Sequence, residues 1–179
     1  ACLAGLAVCA DAEIVAFLDA DFSEEPEQLR DLMAPIESGQ ADFVLGARVG
    51  SGRPWHALVG TRMCVAAINL LWGTHYSDLG PFRAIRRSAL DQLGMADRTW
   101  GWTIEMQVKA AELGLRTIEI PVRTRPRIGQ SKISGTVSGT ARAAARMLTM
   151  ILELRLTRNR RSGRLASSSA RASHTRHSR

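Results

Sequence analysis

The sequence predicts an α/β fold with a mostly parallel sheet. Short apolar runs that suit buried strands alternate with longer segments whose apolar residues have helical spacing. Two of the runs, 14–18 and 42–47, are separated by a predicted helix over 26–38 that Ser23 caps and Gly39 ends. This β-α-β order predicts parallel pairing of the two strands through a right-handed crossover.

The rest of the chain continues this alternation. Helical spacing covers 56–72, with apolar residues gathered on one side, and Pro81 places an irregular strand over 79–87 at an edge or a bulge of the sheet. A short helix over 88–93, a helix over 103–113 capped by Thr103, and a strand over 115–123 come next. From 137 to 156 a narrow polar stripe faces a wide apolar surface, which suits either core packing or a helix lying on a bilayer.

Composition and charge distribution exclude several classes of protein. The 179 residues suffice for about one domain, and three cysteines without C-x-x-C spacing indicate neither a disulfide framework nor a zinc site. Eight of the 24 basic residues follow Glu153, the last acidic residue, so the net charge of +7 comes from the tail. The high pI therefore does not predict specific nucleic-acid binding, and 158–179 has the composition of a disordered segment.

A pair of carboxylates stands directly after the first predicted strand. Asp19 and Asp21 lie at its carboxyl end, which is the edge of an open α/β sheet where ligands bind. Two nearby carboxylates provide hard oxygen ligands for Mg²⁺ or Mn²⁺ carrying a substrate diphosphate. A solvated acidic loop is the commoner explanation of a lone D-x-D, so its meaning depends on the motifs that lie later in the chain.

Basic residues that suit phosphate binding occur further along. Arg48 leaves the second strand at the same edge as the acid pair, and Arg62 is a single charge in an apolar helix, as either a surface residue or an anion ligand. Arg127, Ser131 and Lys132 belong to a glycine-containing basic loop that can close over phosphates, although a solvated surface loop has the same composition.

Taken together, these motifs resemble the inverting family-two glycosyltransferases, in particular the dolichyl- or polyprenyl-phosphate sugar synthases. The matching motifs, in the family's order, are F-L-D-A-D-F at 17–22, L-G-A-R at 45–48, S-D-L-G-P-F-R-A-I-R-R at 77–87, W-G-W-T-I-E-M-Q at 100–107, E-I-P-V-R at 119–123 and R-I-G-Q-S-K-I-S at 127–134. The resemblance implies a GT-A three-layer sandwich with a mostly parallel sheet that lacks the family's first strands. Together with the helical spacing and the tail composition given above, it divides the chain into a partial GT-A domain (1–136), an amphipathic helix that suits a membrane surface (137–157) and a disordered basic tail (158–179).

The resemblance also implies residue roles. Asp21 would ligate the metal, Asp19 would assist at the metal or the ribose, and Ser23 replaces a longer amide side chain of the metal shell, so that water would fill that position. The residues implied in phosphate binding are Arg48, Arg62, Arg127, Lys132 and, in the same acceptor loop, Ser131. Asp78 and Glu105 match acidic positions near the sugar and the acceptor, where Glu105 is either a catalytic base or a carboxylate that binds backbone amides at a helix N-terminus.

The implied activity is metal-dependent, inverting transfer of a sugar from a nucleotide-diphosphate sugar to a polyprenyl phosphate. The enzyme would be cytoplasmic and peripheral at the inner face of the plasma membrane. Two alternatives remain open: an enzyme of the same fold that acts on a soluble or saccharide hydroxyl, and an inactive fragment that binds anionic lipid or nucleic acid through its basic tail.

Overall fold

The computed structural model describes residues 2–50, 55–98, 101–126, 128 and 137–174, with side chains between 139 and 157 in the last of these ranges. The strands are β1 (Ile14–Phe17), β2 (Phe43–Val49), β3 (Arg83–Arg86) and β4 (Thr117–Arg123). The helices are α1 (Cys2–Val8), α2 (Leu29–Glu37), α3 (Trp55–Trp72), α4 (Arg87–Leu93), α5 (Trp102–Glu112) and α6 (Val137–His174), and a 3₁₀ turn over Pro26–Gln28 precedes α2. In type and order these elements agree with the predicted ones.

The four strands form one sheet in the order β1-β3-β2-β4. β3 pairs antiparallel with β1, where Ile14 faces Arg86, and with β2, where Phe43 faces Ile85. β2 pairs parallel with β4 along its whole length, from Phe43 opposite Thr117 onward. Three of the four strands therefore point the same way, as a mostly parallel sheet requires.

The predicted pairing of the first two strands was wrong. β1 and β2 do run parallel, but β3 lies between them and hydrogen-bonds to both. Of the edge or bulge expected for β3, the edge was wrong, because β3 lies between β1 and β2. Pro81 precedes the strand and removes no hydrogen bond from it. The proline within the sheet is Pro121, and it lies in the edge strand β4, where a missing N–H is tolerated.

Side chains from the two faces of the sheet pack into two separate layers of core. On one face Phe43, Leu45 and Ile85 contact residues from α3 to α6. On the other face Val44, Ala84 and Val122 contact Leu32 and Ile36 of α2. The arrangement is helix, sheet and helix, which is the three-layer sandwich predicted from the sequence.

The helix α6 belongs to this core over its first half. Ile151 is fully buried, and Met147, Leu148 and Leu154 pack against the same cluster. Of the two explanations offered for its apolar surface, the packing favours the core. α6 also continues to His174, through most of the segment whose composition predicted disorder.

Two predicted caps are replaced by other residues. Gly101 precedes α5 and Glu25 precedes the 3₁₀ turn, and neither makes a side-chain capping hydrogen bond. Thr103 and Ser23 therefore do not cap. Within the described residues, every helix is either too short or too polar to cross a bilayer.

Candidate functional site

The acid pair lies in a tight turn directly after β1. The Ser23 amide donates to Asp21 Oδ1 at 3.0 Å, and Phe22 between them has a φ of 61°. A bulky residue rarely adopts this left-handed conformation, and such strain concentrates at functional sites. Asp19 is exposed and Asp21 is half-buried, so the turn presents carboxylate oxygen at the carboxyl end of the strand.

The turn is hydrogen-bonded to the beginning of the basic segment. The Arg125 amide donates to the Ser23 carbonyl at 2.9 Å, and the Ile128 amide donates to the Asp21 carbonyl at 3.0 Å. Between these bonds and β4, Glu24 and Thr124 form an antiparallel bridge. The two parts of the chain, about a hundred residues apart, therefore run side by side at the acid pair.

An ion pair and a glutamine also connect the acidic turn to the basic segment. Glu25 accepts from Arg125 Nε at 3.1 Å. Gln28 bonds to both backbone groups of Arg123: its Oε1 accepts from the amide at 2.8 Å and its Nε2 donates to the carbonyl at 3.0 Å. Sequence reasoning missed Gln28, since a single polar residue in a predicted helix carries no signal of a contact 95 residues away.

The other residues expected in the basic loop, Arg127, Ser131 and Lys132, lie outside the described residues. Their predicted role in phosphate binding stays a prediction. What the structure adds is the position of Ile128, which stands inside the same motif and bonds to the carbonyl of an acidic residue.

A third carboxylate lies behind the acid pair. Glu24 is 3% exposed and accepts a hydrogen bond from the Ser23 hydroxyl at 3.0 Å. Burial raises the pKa of Glu24, and the negative charges of Asp19 and Asp21 raise it further. The acidic turn thus concentrates negative charge in a partly desolvated place.

The donor chemistry of the turn fits a small divalent cation. Within the described residues, no three histidine, cysteine or acidic side chains are arranged as a complete ligand set. Mg²⁺ commonly takes only one or two protein carboxylates and completes its octahedron with water and substrate phosphates. Asp19 and Asp21 suit that mode of binding, in which the oxygens of a diphosphate supply the remaining ligands.

Arg48 and Asp78 form a bidentate ion pair at the end of β2. The guanidinium donates from Nε to Asp78 Oδ2 at 2.6 Å and from a terminal nitrogen to Oδ1 at 2.8 Å, and the Arg48 amide adds a third bond at 3.1 Å. This bidentate geometry occupies both oxygens of a carboxylate that is 6% exposed. The sequence predicted the first residue as a phosphate ligand and the second as catalytic, and the structure joins them to each other.

Two glycines allow this pair to form. A Cβ on Gly80 would lie 2.5 Å from the Gly46 carbonyl oxygen, and a Cβ on Gly46 would lie 2.8 Å from the Phe82 carbonyl oxygen. The backbone before β3 can therefore approach β2 closely only if both positions lack side chains. The L-G-A-R and D-L-G-P-F-R motifs are thus two parts of one contact.

Glu105 is occupied by structural contacts. Its carboxylate accepts from the Ala96 amide at 3.0 Å and the Asp97 amide at 2.8 Å, and it pairs with Lys109 at 2.7 Å. Because the group is buried and its oxygens serve these donors, the geometry favours the structural of the two interpretations of Glu105 over the catalytic base.

Arg62 projects from the solvent-facing side of α3 and is exposed. Within the described part of the chain it makes no ion pair with an acidic residue, so the surface interpretation accounts for its position. Its predicted role in anion binding is not tested by these contacts.

Arg83 is a buried cation that sequence reasoning did not single out. Its guanidinium is 0% exposed, donates to the carbonyls of Gly80 and Thr103, and lies over the Phe43 ring at 5.8 Å. Burial lowers the pKa of Arg83, and the nearby positive charge of Arg48 acts in the same direction. The alternation of side chains along β3 could have indicated this burial, because Arg83 lies on the same face of the strand as the buried Ile85.

Comparison with known proteins identifies the family of the chain. A model of the family "Glycosyl transferase family 2" matches residues 1–94. An uncharacterized glycosyltransferase of Mycobacterium tuberculosis is 38% identical over 137 residues, which are 74% of this chain and 62% of that protein. An undecaprenyl-phosphate mannosyltransferase of Micrococcus luteus is 30% identical over 72% of this chain and 56% of its own length, and a polyprenol monophosphomannose synthase of Mycolicibacterium smegmatis is 29% identical over 66% and 48%.

A solved structure shares the fold. Glucosyl-3-phosphoglycerate synthase of Mycobacterium tuberculosis, in complex with Mn²⁺, UDP-glucose and phosphoglyceric acid, superposes with a TM-score of 0.63 over 83% of this chain and 51% of that one, at 18% identity. The likeness confirms the predicted GT-A fold. The chain spans less than two thirds of the length of each of these proteins.

Proposed function

This chain belongs to glycosyl transferase family 2, and from that membership we propose that it forms the metal- and phosphate-binding part of an inverting glycosyltransferase. The donor is a nucleotide-diphosphate sugar, and the acceptor is a polyprenyl phosphate. The enzyme acts at the cytoplasmic surface of the membrane.

The pairing of the acidic turn with the basic segment carries this proposal. The Ile128 amide donates to the Asp21 carbonyl and the Arg125 amide donates to the Ser23 carbonyl, so the backbone of these two described residues lies beside the acid pair. A diphosphate needs a cation on one side and guanidinium or ammonium groups on its remaining oxygens. These two backbone contacts support the proposal that Arg127 and Lys132 meet a diphosphate bound at the acid pair.

The proposed reaction places modest demands on the protein. A phosphate oxygen of the acceptor forms a bond to the anomeric carbon from the face opposite the donor diphosphate, and the bond from that carbon to the diphosphate oxygen breaks with its electron pair. Asp19 and Asp21 would hold a divalent cation, which would neutralise charge on the diphosphate. The protein's residues orient the two anions and exclude alternative geometries.

The contacts of Glu105 support an anionic acceptor. A hydroxyl acceptor needs a base to remove its proton, whereas a phosphate oxygen is already ionised at neutral pH. The carboxylate best placed by sequence to act as that base binds Lys109 and two amides instead. The names of the two mannosyl-transferring relatives, which specify undecaprenyl phosphate and polyprenol, point to the same class of acceptor.

A matched pair of acceptors tests the proposal. We expect the full-length protein, given a panel of labelled nucleotide-diphosphate sugars, to form a lipid-linked product with polyprenyl phosphate and none with the corresponding polyprenol. Chelation by EDTA should abolish transfer, and Mg²⁺ or Mn²⁺ should restore it. Efficient transfer to polyprenol, to a saccharide or to phosphoglycerate in preference to polyprenyl phosphate would contradict the assigned acceptor.

A further inference from the structure

Two arginines contact the same glycine in the loop before β3. The Gly80 carbonyl accepts from Arg83 Nε at 3.1 Å, and a second nitrogen of that guanidinium donates to it as well. A Cβ built on Gly80 would lie 3.6 Å from Arg48 Nε and 3.6 Å from Asp78 Oδ2. The buried guanidinium of Arg83 and the ion pair of Arg48 with Asp78 are therefore neighbours, separated by a single glycine.

Positive charge exceeds negative charge in this cluster. Asp78 gives both of its oxygens to Arg48. Among the described residues, Arg83 donates only to main-chain carbonyls, those of Gly80 and Thr103. Two guanidinium cations and one carboxylate thus leave one positive charge in excess.

The charge of Arg83 persists at neutral pH. Burial lowers its pKa, Arg48 lowers the pKa further and Asp78 opposes both, so the pKa lies at about 9. Burying a charged group among carbonyl dipoles costs free energy, whereas a neutral amide could donate to a carbonyl without that cost. A purely structural link between the two carbonyls therefore does not explain why the residue is a cation.

The cluster lies at the same edge of the sheet as the acidic turn. Arg83 faces Phe17, the last residue of β1, and Asp19 follows two residues later. Although burial lowers the pKa of Arg83, the negative charge of Asp19 acts to raise it, so the two residues sense each other. Arg48 leaves β2 at this edge with its side chain 18% exposed, and its second terminal nitrogen, Nη1, has no hydrogen-bond partner within the described residues.

We propose that Arg83 is a positioning residue that acts through Arg48. Its buried charge keeps the cluster net positive, so that Arg48 attracts a phosphate group of the substrate while it stays bound to Asp78. Without Arg83, the carboxylate of Asp78 would cancel the charge of Arg48. The role requires the charge of Arg83 and not the forked shape of its guanidinium.

The inference rests on the proposed function, since it concerns the same anion-binding region. A charge in the protein interior is screened less than one at the surface, so Arg83 can act on an anion that it does not touch. The phosphate belongs either to the donor diphosphate or to the prenyl phosphate acceptor. Both present the same oxygens, and the experiment separates them by using one probe for each.

Calorimetric titration of the full-length protein tests the proposal without sugar transfer. The probes are pyrophosphate with Mg²⁺, for the donor, and geranyl phosphate, for the acceptor. Arg83→Gln keeps a hydrogen-bond donor and removes the charge, and it should bind at least one probe about tenfold more weakly, as expected for one poorly screened charge. Arg83→Lys keeps the charge and should bind both probes within about threefold of the unaltered protein.

A matched variant in the same strand serves as the control. Arg86 lies at the other end of β3, opposite Ile14, where it donates to the Ile36 carbonyl at 2.6 Å and lies 3.9 Å from Asp42. Arg86→Gln therefore lowers the net charge of the protein by the same amount, far from the acidic turn, and should bind both probes normally. Melting temperatures of all variants are measured alongside, since a purely structural role predicts that affinity falls in step with stability.

Weaker binding of geranyl phosphate alone would assign the charge to the acceptor, and weaker binding of pyrophosphate alone would assign it to the donor. The role of Arg83 is overturned by an unaltered protein that binds neither probe or by a glutamine variant that binds both normally. An equal loss in Arg83→Lys or in Arg86→Gln, or a loss of affinity that only follows the melting temperature, overturns it too.

Failure of this inference can be told apart from failure of the proposed function. A protein that does not glycosylate polyprenyl phosphate, but whose anion binding depends on the charge of Arg83, would refute the proposed function and leave the role of Arg83 supported. Transfer to polyprenyl phosphate by a protein whose anion binding is indifferent to that charge would do the reverse.

Discussion

Two pairs of acidic residues lie in motifs of the same family, and the structure treats them in opposite ways. Asp19 and Asp21 stand at a strand end with partly exposed carboxylates, beside a buried glutamate that adds to their negative charge. Asp78 and Glu105 are buried, and each is bound by a cationic side chain and by backbone amides. The first pair is partly exposed at the end of a strand, whereas the second is buried against the cationic side chains of Arg48 and Lys109.

The comparison teaches that a carboxylate's role depends on what neutralises it. Sequence motifs identify acidic positions without distinguishing a ligand from a scaffold. The distinction requires the partner residues, and Arg48 is 30 positions from Asp78. Variants of the two pairs should accordingly fail in different ways.

The largest effect is expected from Asp21→Ala in the full-length protein. Loss of this carboxylate should lower the rate of sugar transfer by about a thousandfold, because the charge on the diphosphate is no longer neutralised in place. The melting temperature should change little. Radiolabelled transfer and thermal unfolding measure the two quantities, and Asp31→Ala, an exposed change on α2, is the control. Near-normal transfer by Asp21→Ala would place the metal elsewhere.

Asp78→Ala should act on stability first. It leaves the Arg48 guanidinium without its carboxylate in a site where the side chains are only 18% and 8% exposed, and breaking such a pair costs about 3 kcal/mol. Urea unfolding measures the loss. The exposed pair of Arg87 and Asp91 provides the comparison, since Asp91→Ala should cost less than about 1 kcal/mol. Equal costs for the two variants would mean that burial does not distinguish these pairs.

Glu105→Gln should have a smaller effect, of about 1 to 2 kcal/mol on unfolding, because the amide oxygen still accepts a hydrogen bond while the pairing with Lys109 is lost. The value of kcat with polyprenyl phosphate should fall by less than about tenfold, since loss of a true general base costs about a hundredfold or more. A larger loss of kcat at unchanged stability would show that Glu105 acts as a general base.

The smallest effect is expected from Glu24→Gln, and it should depend on pH. The folded protein raises the pKa of Glu24 above its ordinary value of 4.5, so ionisation of this residue favours the unfolded chain and stability falls as pH rises through the folded pKa. The variant should therefore melt higher than the unaltered protein at neutral pH. Below about pH 4.5 both states carry the proton, and the difference should vanish. Melting curves across this range, without divalent cations, measure it.

Much of the fold could be predicted from local pattern. Strand β1 and the helix α3 lie within a residue of their predicted bounds, because apolar periodicity and glycine stops act over short distances. The order of the strands could not be predicted from local pattern. Nothing within 42–47 indicates that β3, which lies forty residues later in the chain, is inserted between β1 and β2. The family resemblance indicated the fold class, which the comparisons confirmed.

Prediction at the site failed where two motifs pair with each other. The acid pair and the approach of the basic segment were expected from motif order, but the ion pair between Arg48 and Asp78 was not. The helix α3 shows a second reason. The spacing gathered apolar residues, Met63 and Leu70 among them, on one side of this helix, but that side faces solvent. Cys64 and Ile68 on the opposite side are apolar too and are the buried ones, so periodicity could not tell which side packs into the core.

The place of β2 in the sheet affects how the chain can be assembled. Both of its neighbours, β3 and β4, come later in the sequence, so β2 has nothing to pair with until Arg86 has left the ribosome. During that interval the nascent chain carries Phe43, Val44 and Leu45 with both edges of the strand unsatisfied. Such a segment is a natural target for chaperones, and slowing translation between 50 and 83 would lengthen its exposure to aggregation.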